Sequence, residues 1–257
     1  MRDGQVSVTA QRVAAHRLTF DRIPAPHGDP AADEALARDV AAAARVAPGP
    51  MRDYLRARTR FFDTEVTGAL DRGCPPVVIG AAGYDGRALR YAKPGVRWFE
   101  VDHPATQLDK RARLDRLGID SGHIRFVPAD FTTDPVADLL LSAGLDPGQP
   151  SLFLLEGVAV YLERPVLQAL LRHLRRAAGD DSVLAISLSV TTGSAGQAAR
   201  RAAFQEAVAA VGEPARSVLE AAGAGAFLKA AGWRAGGPPE LPGRAVRAGF
   251  LVATPAH

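Results

Sequence analysis

The stretch from Pro76 to Arg87 constrains the fold of this chain more than any other. It begins with a short apolar run, residues 77–79, which is typical of a buried strand. Small residues follow, and a helix is expected from about Arg87. A strand that passes through a small-residue turn into a helix lets the backbone approach a ligand closely, with free N–H groups at the helix start. The stretch therefore predicts the first half of a βαβ unit that binds a nucleoside.

A second strand is predicted over residues 96–102, and it ends in an acid, Asp102. Asp102 follows Gly83 by 19 residues, close to the roughly 20 residues at which a carboxylate meets ribose hydroxyls in dinucleotide-binding folds. This spacing alone fits either a ribose ligand or a cap of the next helix. The third and fourth predicted strands are also followed by acids, Asp130 and Glu156. Three acids at one edge of a parallel sheet favour an adenosine-containing cation over a pyrophosphate-bearing dinucleotide.

Apolar runs alternate with helical segments after residue 76, which predicts the α/β fold class. We expect a mostly parallel, doubly wound, Rossmann-like sheet of seven strands. The last two strands, predicted over residues 233–235 and 248–254, are joined by a short Gly/Pro-rich turn and must pair antiparallel or not at all, so we expect an antiparallel C-terminal hairpin. Residues 1–75 contain no convincing strand and are expected to form a helical cap or lid, which leaves residues 76–257 as the sheet domain.

Three further helices are predicted after the second strand. The helix predicted over residues 104–117 carries Gln107 and Lys110, with two arginines, on its polar side. Two others are predicted over residues 200–211 and 217–231.

Composition and spacing limit the classes of partner and site. The formal charge is only +3, and the arginines neither cluster nor alternate with aromatic residues, so no nucleic-acid partner is expected. The lone Cys74 excludes an internal disulfide and a cysteine-rich zinc site, and the six histidines lack metal-ligand spacing, so no metal is expected. No apolar run reaches membrane-spanning length, and residues 1–17 lack the apolar core of a signal peptide. We therefore expect a cytoplasmic protein with no membrane partner.

Motifs of other enzyme classes are missing. The sequence has no Gly-x-x-x-x-Gly-Lys-Ser/Thr phosphate loop and no Gly-x-Ser-x-Gly nucleophile elbow. His103, next to Asp102, is predicted to have a structural or solvent-facing role rather than to act as a base. No residue is assigned to catalysis.

Five segments together resemble the leucine carboxyl methyltransferase-like group of class I S-adenosylmethionine-dependent methyltransferases. The likeness covers about residues 10–190. The segments are residues 57–63, 77–87, 99–107, 127–131 and 155–162.

The resemblance implies S-adenosylmethionine as cofactor and assigns one group of residues to it. Those residues are Arg58 at the methionine carboxylate, Ala81 and Gly83 in the turn beside the cofactor, Asp102 at the ribose, Asp130 with Phe131 at the adenine, and Glu156 near the amino-acid end. Tyr161 falls where the family faces its substrate.

The turn departs from the family's pattern Gly-Ala-Gly-x-Asp-Thr-Arg. It reads Ala-Ala-Gly-Tyr-Asp-Gly-Arg over residues 81–87, so the first glycine and the threonine are replaced. Alanine at position 81 is tolerable only if its φ is negative, because only glycine adopts positive φ without a steric cost.

The resemblance implies an O-methyltransferase that acts on a small-molecule or peptide carboxylate, including a natural-product intermediate. Two alternatives stay open. One is a member of the same fold that binds the cofactor without transferring a methyl group. The other is an NAD-dependent oxidoreductase, which shares the half-domain but is disfavoured by the broken glycine pattern. The sequence specifies neither the methyl acceptor nor the oligomeric state.

Overall fold

The computed structural model describes residues 7–42, 49–73, 76–191, 216–236 and 249–256. The helix predicted over residues 200–211, the turn between the last two strands and Cys74 lie outside these residues. The chain divides into two compact units, residues 2–130 and residues 131–257, called here the first and the second unit.

The first unit carries its sheet strands after a helical segment. Its helices are α1 (Val8–Arg17), α2 (Pro30–Ala41), α3 (Pro50–Arg72), α4 (Arg87–Arg90) and α5 (Pro104–Arg116). Its strands are β1 (Val77–Gly80), β2 (Trp98–Asp102) and β3 (Ile124–Pro128). The strands pair in parallel in the order β3-β2-β1, so the predicted strand–turn–helix–strand unit is present.

Local capping explains where the helices of the first unit begin. The Ser7 side chain accepts a hydrogen bond from the amide of Ala10 at the start of α1. Asp29 accepts one from the amide of Ala32 at the start of α2, where Pro30 occupies the first turn. Both arrangements satisfy amides that have no partner within the helix.

The second unit combines parallel and antiparallel pairing. Its helices are α6 (Val136–Ser142), α7 (Arg164–Arg176) and α8 (Ala224–Lys229), with 3₁₀ turns at Ala159–Tyr161 and Ala221–Gly223. Its strands are β4 (Leu152–Leu155), β5 (Val183–Ser187), β6 (Val190–Thr191), β7 (Leu219–Glu220), β8 (Trp233–Gly236) and β9 (Phe250–Pro255). β4 pairs with β5 in parallel, whereas β9 lies antiparallel between β5 and β8. The predicted antiparallel C-terminal strand pair is confirmed.

The segment from Ser217 to Ala231 differs from the single helix predicted there. Residues 219–220 form β7, which pairs with β6 in a separate two-stranded sheet, and α8 has only six residues. Gly223 and Gly225 lie within this segment, and glycine lowers helix stability by about 1 kcal/mol relative to alanine. The pairing of Leu219 with Val190 therefore overrides a weak helical preference.

The fold class is confirmed as a mostly parallel, Rossmann-like α/β fold with a sheet of seven strands. Strands β1 and β4 are buried along their whole length, as expected of central parallel strands. None of the helices in the described part of the chain is long and apolar enough to cross a membrane.

Candidate functional site

The carboxyl ends of the three strands in the first unit lie side by side. In the strand register Gly80 is opposite Val101, and Asp102 is opposite Pro128. Two hydrogen bonds extend these ladders beyond the strands, from the amide of Ala82 to the carbonyl of Val101 (3.2 Å) and from the amide of Ala129 to the carbonyl of Asp102 (2.8 Å). The glycine turn (residues 81–86), Asp102 and Asp130 therefore share one edge of the sheet.

This edge is partly accessible to solvent at the predicted ligand positions. Ala81, Asp102 and Asp130 are each half-buried, although the residues that precede Asp102 and Asp130 are buried. An accessible row of one small residue and two carboxylates beside a turn is suited to a ligand that carries hydroxyls or an amine.

The Asp102 carboxylate is fixed by the backbone around it. Oδ2 accepts a hydrogen bond from the amide of Gly83, and Oδ1 accepts one from the amide of His103 at 2.6 Å. Burial raises the pKa of Asp102, although these two bonds and the nearby Lys110 ammonium oppose that rise. A carboxylate offers about four acceptor positions, so two remain for a ligand with adjacent hydroxyls.

The glycine turn contains two residues in the left-handed region. Gly83 has φ +49°, and a Cβ placed on it would lie 2.9 Å from the Cβ of Ala10 on α1. Ala81 has φ +54°, so the condition under which alanine is tolerated here without strain, a negative φ, is not met. A residue with a Cβ loses roughly 1–2 kcal/mol in this conformation. The chain thus retains the backbone of a glycine turn without the first glycine.

A buried ion cluster lies beneath the turn and was not predicted from the sequence. The Arg87 guanidinium is fully buried and donates to Asp63 (2.7 Å) and to Asp85 (2.5 Å). Arg22 donates to the same Asp63 carboxylate through two nitrogens, at 2.6 and 2.9 Å. Burial alone would raise the pKa of Asp63, but Arg87 and Arg22 hold it below its ordinary value. These ion pairs join two of the segments that carry the family resemblance, residues 57–63 and 77–87.

Helix α1 is tied to the same turn. Arg17 donates to Asp85 at 3.0 Å, and both side chains are buried. Together with the approach of Ala10 to Gly83, this ion pair places α1 directly against the glycine turn.

Helix α5 holds the turn from another direction. The Tyr84 hydroxyl donates to Asp109 at 2.5 Å, and burial is the largest of the effects that raise the pKa of Tyr84. Gln107 and Lys110, expected on the polar side of this helix, are 4% and 1% exposed. The Gln107 amide donates to the carbonyl of Glu100 at 2.9 Å. Gln107 and Lys110 therefore face β2 and the turn rather than solvent, whereas Arg111 on the same predicted side is exposed.

Arg58 lies on α3 and is buried rather than on the surface. Its guanidinium carbon is 5.7 Å from the centre of the Tyr54 ring, within the range of a cation–π contact. The next residue, Thr59, accepts a hydrogen bond from Arg87 through its carbonyl (3.2 Å). The backbone beside Arg58 is thus anchored to Arg87, which directly follows the glycine turn.

The other three predicted residues belong to the second unit. Phe131 is half-buried at the beginning of this unit. Glu156 directly follows β4 and is half-buried, and the next amide, that of Gly157, donates to the Ser187 hydroxyl at 2.7 Å. Tyr161 closes the 3₁₀ turn at Ala159–Tyr161 and is also half-buried. Glu156 therefore occupies the carboxyl end of a parallel strand, as predicted.

The described residues offer neither a metal centre nor an evident base. They contain no cluster of three or more His, Cys, Asp or Glu side chains that could hold a metal ion. His103 accepts a hydrogen bond from the amide of Ala105 through Nδ1 and caps α5, which agrees with the structural role expected of it.

Sequence comparison identifies the family. The sequence profile of the leucine carboxyl methyltransferase family matches residues 10–175 of this chain. A candidate S-adenosyl-L-methionine-dependent methyltransferase of Parafrankia sp. (strain EAN1pec) is 41% identical over 138 residues, which is 53% of this chain and 44% of that protein. A second candidate of the same activity, from Mycobacteroides abscessus, is 35% identical over 139 residues, 52% of this chain and 45% of that protein. The chain spans about half the length of these curated relatives.

Structural comparison supports the fold. A candidate methyltransferase from Thermobifida fusca YX superposes with a TM-score of 0.60 at 16% identity, over 100% of this chain and 97% of that one. A DUF574 family protein from Streptomyces avermitilis MA-4680 gives a TM-score of 0.58 at 18% identity, over 98% and 99%. At these identities the likeness shows a shared fold.

Proposed function

Because the chain belongs to the leucine carboxyl methyltransferase family of S-adenosylmethionine-dependent methyltransferases, we propose that it transfers a methyl group from S-adenosylmethionine to a carboxylate oxygen of a small molecule or peptide. The observation that carries the proposal is the geometry of Asp102. Its carboxylate ends β2, is fixed by the amides of Gly83 and His103, and keeps acceptor positions at a half-buried edge. Such a group suits the vicinal hydroxyls of a ribose.

The remaining assignments follow the family resemblance residue by residue. We assign the adenine to Asp130 and Phe131, the amino-acid end of the cofactor to Arg58 and Glu156, and the substrate to Tyr161. The glycine turn, with Ala81 and Gly83, lies beside the cofactor. The buried position of Arg58 supports its assignment, because a buried guanidinium is well suited to a carboxylate through paired hydrogen bonds.

The proposed reaction requires no proton transfer by the protein. When bound, S-adenosylmethionine supplies a methyl group on a positively charged sulfur. A carboxylic acid with a pKa near 4 is already ionised at neutral pH, so a carboxylate acceptor needs no general base. The residues of this chain then have to bind and orient the two reactants and exclude water. The engagement of His103 in capping α5 agrees with a reaction that does not require it as a base.

The proposal also includes a role for the N-terminal helical segment. We assign residues 1–75 as a cap, on the support of two α1 contacts with the glycine turn, through Ala10 and Arg17. We further propose a cytoplasmic enzyme whose partner is a small molecule rather than a nucleic acid or a membrane.

The test is a calorimetric titration of the purified protein with S-adenosylhomocysteine. We expect Asp102→Asn to weaken binding by roughly 10- to 100-fold, since a hydrogen bond to a charged group contributes about 1.5–3 kcal/mol. Asp120→Asn is the matched control, because Asp120 is exposed and accepts a hydrogen bond from the backbone amide of Gly122.

Two outcomes count against the proposal. Tight binding of NAD with no response to S-adenosylhomocysteine would identify an oxidoreductase. Unchanged affinity in Asp102→Asn would remove the carboxylate from the site. If the cofactor binds, mass-spectrometric detection of methyl esters on a panel of carboxylic acids tests the transfer itself. If neither carboxylic acids nor hydroxyl compounds are methylated, the chain is a protein that binds the cofactor without transferring its methyl group.

A further inference from the structure

Lys110 lies on α5, and its side chain is buried, which is unusual for a lysine. Its side chain is 1% exposed, and its ammonium donates to Glu100 Oε2 at 2.5 Å and to the carbonyl of Asp85 at 2.6 Å. A lysine is almost never fully buried unless it is paired, because a charge loses its hydration on burial. Both partners of this ammonium belong to the nucleoside-binding unit.

The two partners lie on the two parts of the chain that form the proposed nucleoside site. Asp85 is in the glycine turn, and its amide donates to the carbonyl of Ala82 at 2.7 Å, which closes the turn around Gly83. Glu100 precedes Asp102 by two positions on β2, so their side chains leave the same face of the strand. Lys110 therefore connects the turn that carries the Gly83 amide with the strand that carries the Asp102 carboxylate.

The pair is not built for stability alone. Glu100 is 1% exposed, and its second oxygen, Oε1, has no hydrogen-bond partner in the part of the chain that the structure describes. A buried acceptor without a hydrogen-bond partner is not compensated for the loss of its hydration. Apolar side chains of similar volume often replace a buried ion pair without loss of stability. A geometric role accounts for the pair better than a stabilising one.

We propose that Lys110 is a positioning residue for the nucleoside half of the cofactor: it fixes the distance between the glycine turn and β2, and with it the placement of Asp102. The proposal rests on the proposed function, since it presupposes that Asp102 binds the ribose. Lys110 itself does not touch the ligand. Its ammonium acts through the carbonyl of Asp85 and through the strand that carries Asp102.

The main test is the double variant Lys110→Met/Glu100→Gln, which removes the ammonium without leaving an unpaired buried carboxylate. We expect it to fold and to bind S-adenosylhomocysteine at least about 10-fold more weakly than the wild type by calorimetry. The same loss is expected for 5′-methylthioadenosine, which has the nucleoside but no amino acid. Glu100→Gln alone keeps a side-chain acceptor for the Lys110 ammonium beside its bond to the Asp85 carbonyl, so its loss of affinity should be smaller than that of the double variant.

A double-mutant cycle separates positioning from general loosening. If Lys110 acts through Asp102, the double variant and Asp102→Asn have coupled effects, and combining them weakens binding by less than the product of the separate losses. Lys93→Met is the control, because Lys93 is a partly buried lysine of the same unit that donates to the carbonyl of Leu70. Its affinity for S-adenosylhomocysteine should be unchanged.

The proposed function and the role of Lys110 are contradicted by different results. Wild-type protein that does not bind S-adenosylhomocysteine contradicts the proposed function. Wild-type protein that binds, with the double variant within about 2-fold of it or with multiplicative effects in the cycle, contradicts the role of Lys110. If the double variant does not fold, Lys110→Gln/Glu100→Gln replaces it. This variant also leaves no unpaired buried carboxylate, and its shorter side chain at position 110 does not reach both position 100 and the Asp85 carbonyl, so the same loss is expected.

Discussion

Ala81 stands where the backbone requires a left-handed conformation, with φ +54°. We expect Ala81→Gly to raise the free energy of unfolding by about 1 kcal/mol, because relief of the steric cost of roughly 1–2 kcal/mol exceeds the added entropy of glycine in the unfolded chain. Urea denaturation followed by circular dichroism measures the change.

The neighbouring alanine provides the control for that prediction. Ala82 is buried and does not have a positive φ, so Ala82→Gly should lower stability by about 0.5–1 kcal/mol. If both variants lose stability alike, the left-handed conformation assigned to Ala81 is contradicted.

Glu100 gives a pH-dependent prediction. Burial is the main cause that raises its pKa, to about 7, and the nearby Asp85 and Asp102 add to the rise against the opposing Lys110. An unfolded glutamate has a pKa near 4.3, so between about pH 4.5 and 7 the folded state holds a proton that the unfolded state has lost. The contribution of Glu100 to stability therefore falls as pH rises through this interval, by an amount on the order of 3 kcal/mol.

The difference in unfolding free energy between the wild type and Glu100→Gln isolates that contribution, because other titrating groups are common to both proteins. We expect the difference to shift against the wild type from pH 5 to pH 7.5 in urea denaturation at several pH values. A difference that is constant with pH would show that Glu100 is already ionised at pH 5.

At the scale of residues, sequence spacing located Asp102 but did not reveal its surroundings. The strand pattern and the 19-residue interval from Gly83 were enough to place the carboxylate at the end of β2. The bond between Tyr84 and Asp109 and the burial of Lys110 join residues on different elements and leave no periodic signal. The sequence indicated the condition for an unstrained Ala81 but not its φ, which is set by the geometry of the turn.

At the scale of elements, helix α3 is joined to the glycine turn by a buried carboxylate. Asp63 is 0% exposed and accepts from Arg87 and Arg22. Removing one partner of a buried ion pair leaves an uncompensated charge, so Asp63→Asn should lower the free energy of unfolding by roughly 3–5 kcal/mol. Guanidinium denaturation of the variant and the wild type measures the loss.

An exposed aspartate of the same helix is the control. Asp53 faces Arg56 at 3.5 Å, with side chains that are 69% and 54% exposed, and surface pairs of this kind contribute about 0–1 kcal/mol. Asp53→Asn should therefore be nearly neutral. Equal losses in the two variants would mean that the Asp63 cluster does not hold α3 to the turn.

The elements themselves were predictable where one signal was strong and consistent. The apolar runs of β1 and β4 are continuous, and the structure buries them along their whole length, as expected of central parallel strands. The segment around Leu219 was predicted wrongly because its alanines favour a helix while a partner strand from another part of the chain was not visible. Strand pairing over such a separation is a tertiary effect that no local pattern encodes.

At the scale of the whole molecule, the absence of an assigned base leads to a prediction about turnover. An ionised carboxylate is already the nucleophile above its pKa near 4, whereas a hydroxyl with a pKa near 10 gains reactivity as it is deprotonated. Once an acceptor is identified, we expect turnover at saturating substrate to be nearly flat from about pH 6.5 to 9 for a carboxylate acceptor. A mass-spectrometric assay for methyl ester, with S-adenosylhomocysteine release as a second readout, measures the profile.

Two additional measurements show whether the pH profile reports the chemical step. Loss of cofactor affinity at one end of the range would itself bend the curve, so binding of S-adenosylhomocysteine is measured over the same pH values. Tyr161→Phe is the companion variant, because it removes the hydroxyl of the residue assigned to the substrate while keeping the ring. A profile that stays flat in both proteins agrees with a carboxylate acceptor held in place without proton transfer. A log-linear rise with pH in the wild type, at constant cofactor affinity, would instead require a hydroxyl acceptor and a base that this proposal does not contain.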